Sequence, residues 1–173
     1  MTRDELARRI RDRALLRGDF TLRSGRKSDT YIDKYLFETQ PDILAALGRM
    51  LADFVTERTT RIAGAELGGV APAAAVSLAC GRPFVIVRNK KKDYGTARPI
   101  EGRLNPGDVV LLVEDVATTG GQILEAAAVL TEAGATIERI IAIVDRQEGA
   151  RANIEAAGYP FEALFTLQEI KSP

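Results

Sequence analysis

Five apolar residues, Val109 to Val113, lead without a gap into two carboxylates, Glu114 and Asp115. A Thr118-Thr-Gly-Gly121 turn follows, and then a helical pattern through Ile123, Leu124, Ala127, Ala128 and Leu130. An uninterrupted apolar run bounded by polar residues reads as a strand buried on both faces, which favours a parallel sheet covered by helices. Turning such a strand through small residues into a helix directs several backbone N–H groups outward at the helix's positive end. That arrangement receives one phosphate, with the Thr118 and Thr119 hydroxyls as further donors. Glu114 and Asp115 stand too close to a phosphate to bind it themselves. They can accept hydrogen bonds from sugar hydroxyls or help to hold a hydrated cation. Phosphate on one side and a diol on the other describe a ribose 5-phosphate. The competing account is an ordinary strand–loop–helix junction with polar caps. Neither a G-x-x-x-x-G-K-[ST] loop nor a strand-following G-x-G-x-x-G occurs, so the usual nucleoside triphosphate and dinucleotide loops are excluded.

The rest of the chain alternates in the same way. Leu6, Ile10, Ala14 and Leu15 form a helical stripe ending near Gly18. Phe20–Leu22 and Thr30–Ile32 are short strand-like runs around the polar turn Ser24–Ser28. A helix is expected over Ile43–Val55 after Pro41, a short strand at Ile62–Ala63, and a helix over Val70–Leu78. Strands are expected at Phe84–Val87, Val109–Val113, Ile137–Val144 and Phe161–Phe165, with a helix over Ala150–Ala157. This is an α/β pattern: a mostly parallel central sheet flanked by helices. The antiparallel pair within about residues 1–35 is expected as a small hood over the sheet's carboxyl edge, where open α/β folds bind ligands.

At 173 residues one domain, 1–173, is expected, with no room for a second catalytic unit. Acidic and basic residues balance at 24 each, so no global field favours nucleic acid or membrane. No apolar run approaches the ~20 residues of a membrane span, and the charged N-terminus is not expected to act as a secretory signal. The lone Cys80 cannot pair internally, which suits a reducing cytoplasm; in its Ala-rich segment it is expected to be a small buried residue. The chain has no histidine, so acid–base work falls to carboxylates, lysine or tyrosine.

Residues 88–104 lack apolar periodicity and form a connection longer than usual, hence an expected lid or functional loop. It carries Arg88, Lys90, Lys91, Lys92, Arg98 and Arg103 against Asp93 and Glu101. A solvated charge run is the plain alternative for any one of these lysines. Ala65-Glu-Leu-Gly-Gly-Val70 is either a helix entry or a loop whose Gly68 and Gly69 bring backbone close to a ligand. Arg146, after the strand ending at Asp145, offers a guanidinium fork to a carboxylate or pairs with Glu148 at the surface.

These residues resemble the phosphoribosyl diphosphate (PRPP) signature of the type I phosphoribosyltransferases. Three further blocks resemble the orotate-using branch in the same order: Phe20–Ser28 with Tyr31-Ile-Asp33, Arg88–Gly95, and Val144–Glu148. The resemblance implies Mg²⁺-dependent transfer of ribose 5-phosphate from PRPP to orotate, in pyrimidine synthesis. It makes Lys92 and Asp115 the catalytic candidates. PRPP would meet Arg88, Lys92, Tyr94, Glu114, Asp115, Val116, Ala117, Thr118, Thr119, Gly120, Gly121 and Gln122, and orotate would meet Thr118, Arg146 and Arg23. Mg²⁺ would ride mainly on PRPP oxygens without a protein cage. A homodimer sharing the 88–104 loop between subunits is also implied. Three positions depart from the pattern: Asn89 stands for a lysine, Tyr94 for a histidine, and Gly68 for a lysine of some relatives. A transferase for a purine base and a non-catalytic PRPP sensor are the rival readings. The Phe20–Ser28 block and Arg146 speak against the first, and the lysine loop against the second.

Overall fold

The computed structural model describes residues 1–21, 25, 27–89 and 99–172. Helix α1 (Arg3–Ala14) opens on a reciprocal cap: the Glu5 N–H donates to Thr2 Oγ1 and the Thr2 N–H to Glu5 Oε2. The helical stripe was expected to include Leu15. Instead the chain turns extended there, and β1 (Leu15–Thr21) pairs antiparallel with β2 (Lys27–Ile32). The spacing at Leu15 continues the helical stripe, but its pairing with Ile32 overrides that local signal. One helical turn, α2 (Tyr35–Glu38), then leads to α3 (Pro41–Ala52), with proline in the first turn, where its missing N–H costs nothing. Phe54 and Val55 lie past the end of α3, packed against the core from outside the helix.

The main sheet has the order β5-β4-β3-β6-β7-β8. Its strands are β3 (Arg61–Ala65), β4 (Phe84–Val87), β5 (Ile100–Glu101), β6 (Val109–Ala117), β7 (Thr136–Asp145) and β8 (Phe161–Thr166). All pairings are parallel except that of the two-residue edge strand β5 with β4. The crossovers carry α4 (Val70–Cys80), α5 (Gly121–Glu132) and α6 (Ala150–Ala156), and α7 (Leu167–Lys171) closes the chain. Cys80, expected to be buried, is half-exposed at the C-terminal end of α4.

Burial follows the strand period of two. Leu111 and Val113 enter one apolar cluster with Leu6, Ile10, Ile43 and Leu47 of α1 and α3. Val110 and Leu112 enter another with Ile123, Ala127, Leu130 and Ile154 of α5 and α6. The sheet is thus covered on both faces, as the apolar runs required. From β3 the chain first adds β4 on one side and later returns to place β6 on the other. The carboxyl ends of β3 and β6 therefore flank a switch in winding direction, where a crevice opens in folds of this kind.

Candidate active site

Strand β6 outlasts its apolar run. Glu114 and Asp115 lie inside the strand, not after it as their charge suggested, because the ladder with β7 continues through Ala117 paired to Asp145. Asp115 is 1% exposed; its Oδ1 accepts the Val116 N–H at 2.5 Å, and its Oδ2 meets the ammonium of Lys34. The Glu114 carboxylate accepts the Asp115 N–H at 3.3 Å. Burial, then the adjoining Asp115 side chain, pushes the Glu114 carboxyl well above its ordinary range.

The turn after β6 is shaped by Gly120, whose φ of 83° favours glycine. Its neighbours are anchored through their carbonyls: Thr118 O accepts the Ala150 N–H at 3.1 Å, and Thr119 O accepts from Asn153 Nδ2 at 2.8 Å. Helix α5 then begins without a side-chain cap, and the Leu124 N–H is bonded to Gly120 O. The first-turn N–H groups of a helix have no partner within it, so they and the helix dipole favour an anion. Residues Thr118 to Ile123 line a cleft of about 970 Å³, which also takes in Glu114, Asp115, Arg146 and the β1–β2 side chains Phe20 and Tyr31.

A second, smaller cleft of about 250 Å³ lies beside the loop leaving β3, between Glu66–Gly68 and Asn89. The Glu66–Leu67 peptide is cis. Gly68 touches the acid strand: a Cβ there would fall within the Asp115 carboxylate and 2.6 Å from Lys34 Nζ. Burial alone would lower the Lys34 pKa, but the Asp115 carboxylate beside it more than offsets this and holds the ammonium above its ordinary value. Behind them Glu38 is 3% exposed, and its Oε1 has no hydrogen-bond partner among the described residues. Burial, reinforced by Asp115, pushes the Glu38 carboxyl up to about 8.

Residues 37–157 match the family model described as a phosphoribosyl transferase domain. The chain belongs to the phosphoribosyltransferase family. A curated relative in Halobacterium salinarum, an orotate phosphoribosyltransferase, is 46% identical over 153 residues, covering 88% of this chain and 87% of its own. The Mycobacterium tuberculosis orotate phosphoribosyltransferase in complex with Fe(III) dicitrate superposes with a TM-score of 0.88 at 32% identity, covering 98% of this chain and 99% of that one. The same enzyme in complex with PRPP gives 0.81 at 30% identity, with 98% and 99% covered.

In this phosphoribosyltransferase the expected PRPP residues Glu114 to Gln122 are brought together as one wall of the larger cleft, and Arg146 joins them. Arg146 is also engaged by Glu148, its Nε donating to Oε1 at 3.1 Å, so the plain ion pair and the cleft position coexist. Arg88 is turned to Glu66 and Glu101, at 3.9 and 3.6 Å, and is not among the lining residues of either cleft. Arg23, Lys92 and Tyr94 lie outside the described residues. Sequence reasoning missed Lys34, Glu38 and Glu66. An acid closing the otherwise apolar turn Tyr35-Leu36-Phe37-Glu38 was the one signal available for Glu38. Lys34 gave none, because its significance comes from a strand some eighty residues later.

Proposed function

We propose that this chain transfers ribose 5-phosphate from PRPP to N1 of orotate, forming orotidine 5′-monophosphate and pyrophosphate in pyrimidine synthesis. The C1–O bond to the diphosphate breaks, the C1–N1 bond forms, and the N1 proton of orotate is lost. The observation that carries this reading is a single cleft holding the acid pair, an uncapped helix N-terminus and an arginine. Relatives at such identity, named for the same reaction, support it.

In this reading the 5-phosphate lies on the backbone and hydroxyls of Thr118 to Gln122, with Val116 and Ala117 alongside, and the ribose hydroxyls donate to Glu114 and Asp115. As the leaving group departs it gains charge, which Arg88, Lys92 and Tyr94 of the 88–104 loop stabilise while shedding water. The loop from Glu66 to Gly69 cups the diphosphate through its backbone. Arg146 forks onto the orotate carboxylate, with Thr118 and Arg23 beside the base. Catalysis is then mainly positioning and charge stabilisation, with Lys92 and Asp115 the residues closest to the chemistry. Among the described residues no group of three or more His, Cys, Asp or Glu side chains could hold a metal. In this reading Mg²⁺ rides on PRPP's own oxygens, where it would neutralise the diphosphate. One domain over 1–173 would do this work, with a hood at about 1–35 and the 88–104 loop shared across a cytoplasmic homodimer.

Arg146→Ala tests the base assignment. It should raise the orotate KM by roughly tenfold to a hundredfold, the scale of a lost charged hydrogen-bond pair. PRPP binding in the absence of base should stay within about twofold. Loss of both together would make Arg146 a structural partner of Glu148 and not a ligand for the base.

A further inference from the structure

The Lys34 side chain stands between the two clefts and is paired with the buried acid Asp115. It lines both, together with Glu114 and Gln122. Among the described residues lining the smaller cleft it is the only cation, set against Glu66 and Glu114. A polyanion entering there would meet two carboxylates and one ammonium. The ammonium is currently engaged. Asp115 Oδ2 is closed off beneath Lys34 and Gly68, while Oδ1 already accepts the Val116 N–H. A sugar hydroxyl therefore reaches Oδ2 only when Lys34 moves. The Lys34 side chain is 32% exposed and lies over the Tyr35 ring at 5.3 Å, and Tyr35 is itself exposed, so the ammonium sits at a partly open surface. A lysine's flexible stem and rotatable ammonium suit such a swing.

We infer that Lys34 exchanges partners during donor binding: the ammonium that neutralises Asp115 turns to the diphosphate of the donor, and Asp115 is released to accept from the ribose hydroxyls. Two neighbours fit this role. Gly68 leaves the space in which the ammonium and the Asp115 carboxylate meet, which any side chain would fill. Glu38, held protonated behind the pair, does not compete for the cation. The exchange couples the two halves of the donor, because the group that grips the leaving diphosphate is the one that unmasks the acid for the sugar.

The inference rests on the PRPP reading, and one titration series separates the two. PRPP, pyrophosphate and ribose 5-phosphate are titrated with Mg²⁺ into the full chain and into Lys34→Met. The expected result is a loss of about tenfold to a hundredfold in affinity for PRPP and pyrophosphate, with ribose 5-phosphate bound as well as before or more tightly. If the variant binds PRPP unchanged, or loses PRPP and ribose 5-phosphate alike, the exchange is wrong while the PRPP reading stands. If the unmodified chain binds no PRPP, both fall. Lys34→Met leaves Asp115 buried without its cation. Where that prevents folding, Lys34→Met/Asp115→Asn is compared with Asp115→Asn alone, and the same selective loss of PRPP and pyrophosphate is required.

Discussion

Glu38 illustrates how burial sets chemistry one residue at a time. Its carboxyl is buried, its Oε1 has no hydrogen-bond partner among the described residues, and the nearby Asp115 adds like charge, so the acid keeps its proton up to about 8. A folded-state pKa above the ordinary value of 4.5 means that the folded form holds a proton the unfolded form gives up. The stabilisation is full below about 4.5, declines as pH rises, and is gone above about 8. Glu38→Gln, which cannot ionise, should therefore be favoured increasingly over the parent between pH 5 and 8. The difference should reach a few kcal/mol, in view of ~1.4 kcal/mol per unit, and level off at higher pH. Urea unfolding at several pH values measures this, and a pH-independent difference would contradict it. At this scale the sequence showed the acids whose neighbours in the chain explain them, Glu114 and Asp115. Lys34 and Glu38 stayed hidden because their partners come from another element.

Among the elements, the β6–turn–α5 unit was legible because three local signals agree: an apolar strand, a small-residue turn with glycine at the left-handed position, and helical spacing. Its acids were displaced by one feature only, the pairing with β7 that extends the strand past them. The elements missed were β5, α2 and α7, of two, four and five residues. None is long enough for its periodicity to register. For α7 the Thr166–Glu169 capping box was a usable signal. Packing between elements gives a sharper test. Helices α3 and α4 approach at Gly48, where a Cβ would stand 2.7 Å from the Ala75 carbonyl oxygen. Gly48→Ala improves helix propensity by up to about 1 kcal/mol, yet overpacking of this kind costs about 1–3 kcal/mol. A melting temperature lower by a few degrees is expected, measured by differential scanning calorimetry. An unchanged or higher value would show that the two helices can part at no cost.

At the scale of the whole molecule, the two apolar clusters fix β3 and β6 side by side, and the site follows from that placement. The N- and C-terminal segments are tied together by Arg3, which donates to Glu169 and to Leu164 O at 2.7 Å each and lies over the Phe165 ring. Among the described residues no helix is long and apolar enough to cross a membrane. The balanced charge gives no long-range attraction for polyanions, so in the proposed reading recognition of a highly charged donor is local, at the N-terminus of α5, the 88–104 segment and Lys34. The most direct test of that account is pyrophosphate release by the purified full chain, given PRPP, Mg²⁺ and one base at a time. Rapid release with orotate, and none above background with adenine, guanine or hypoxanthine, is the predicted result. Absence of release with orotate from properly folded protein, or equal release with a purine, would contradict it.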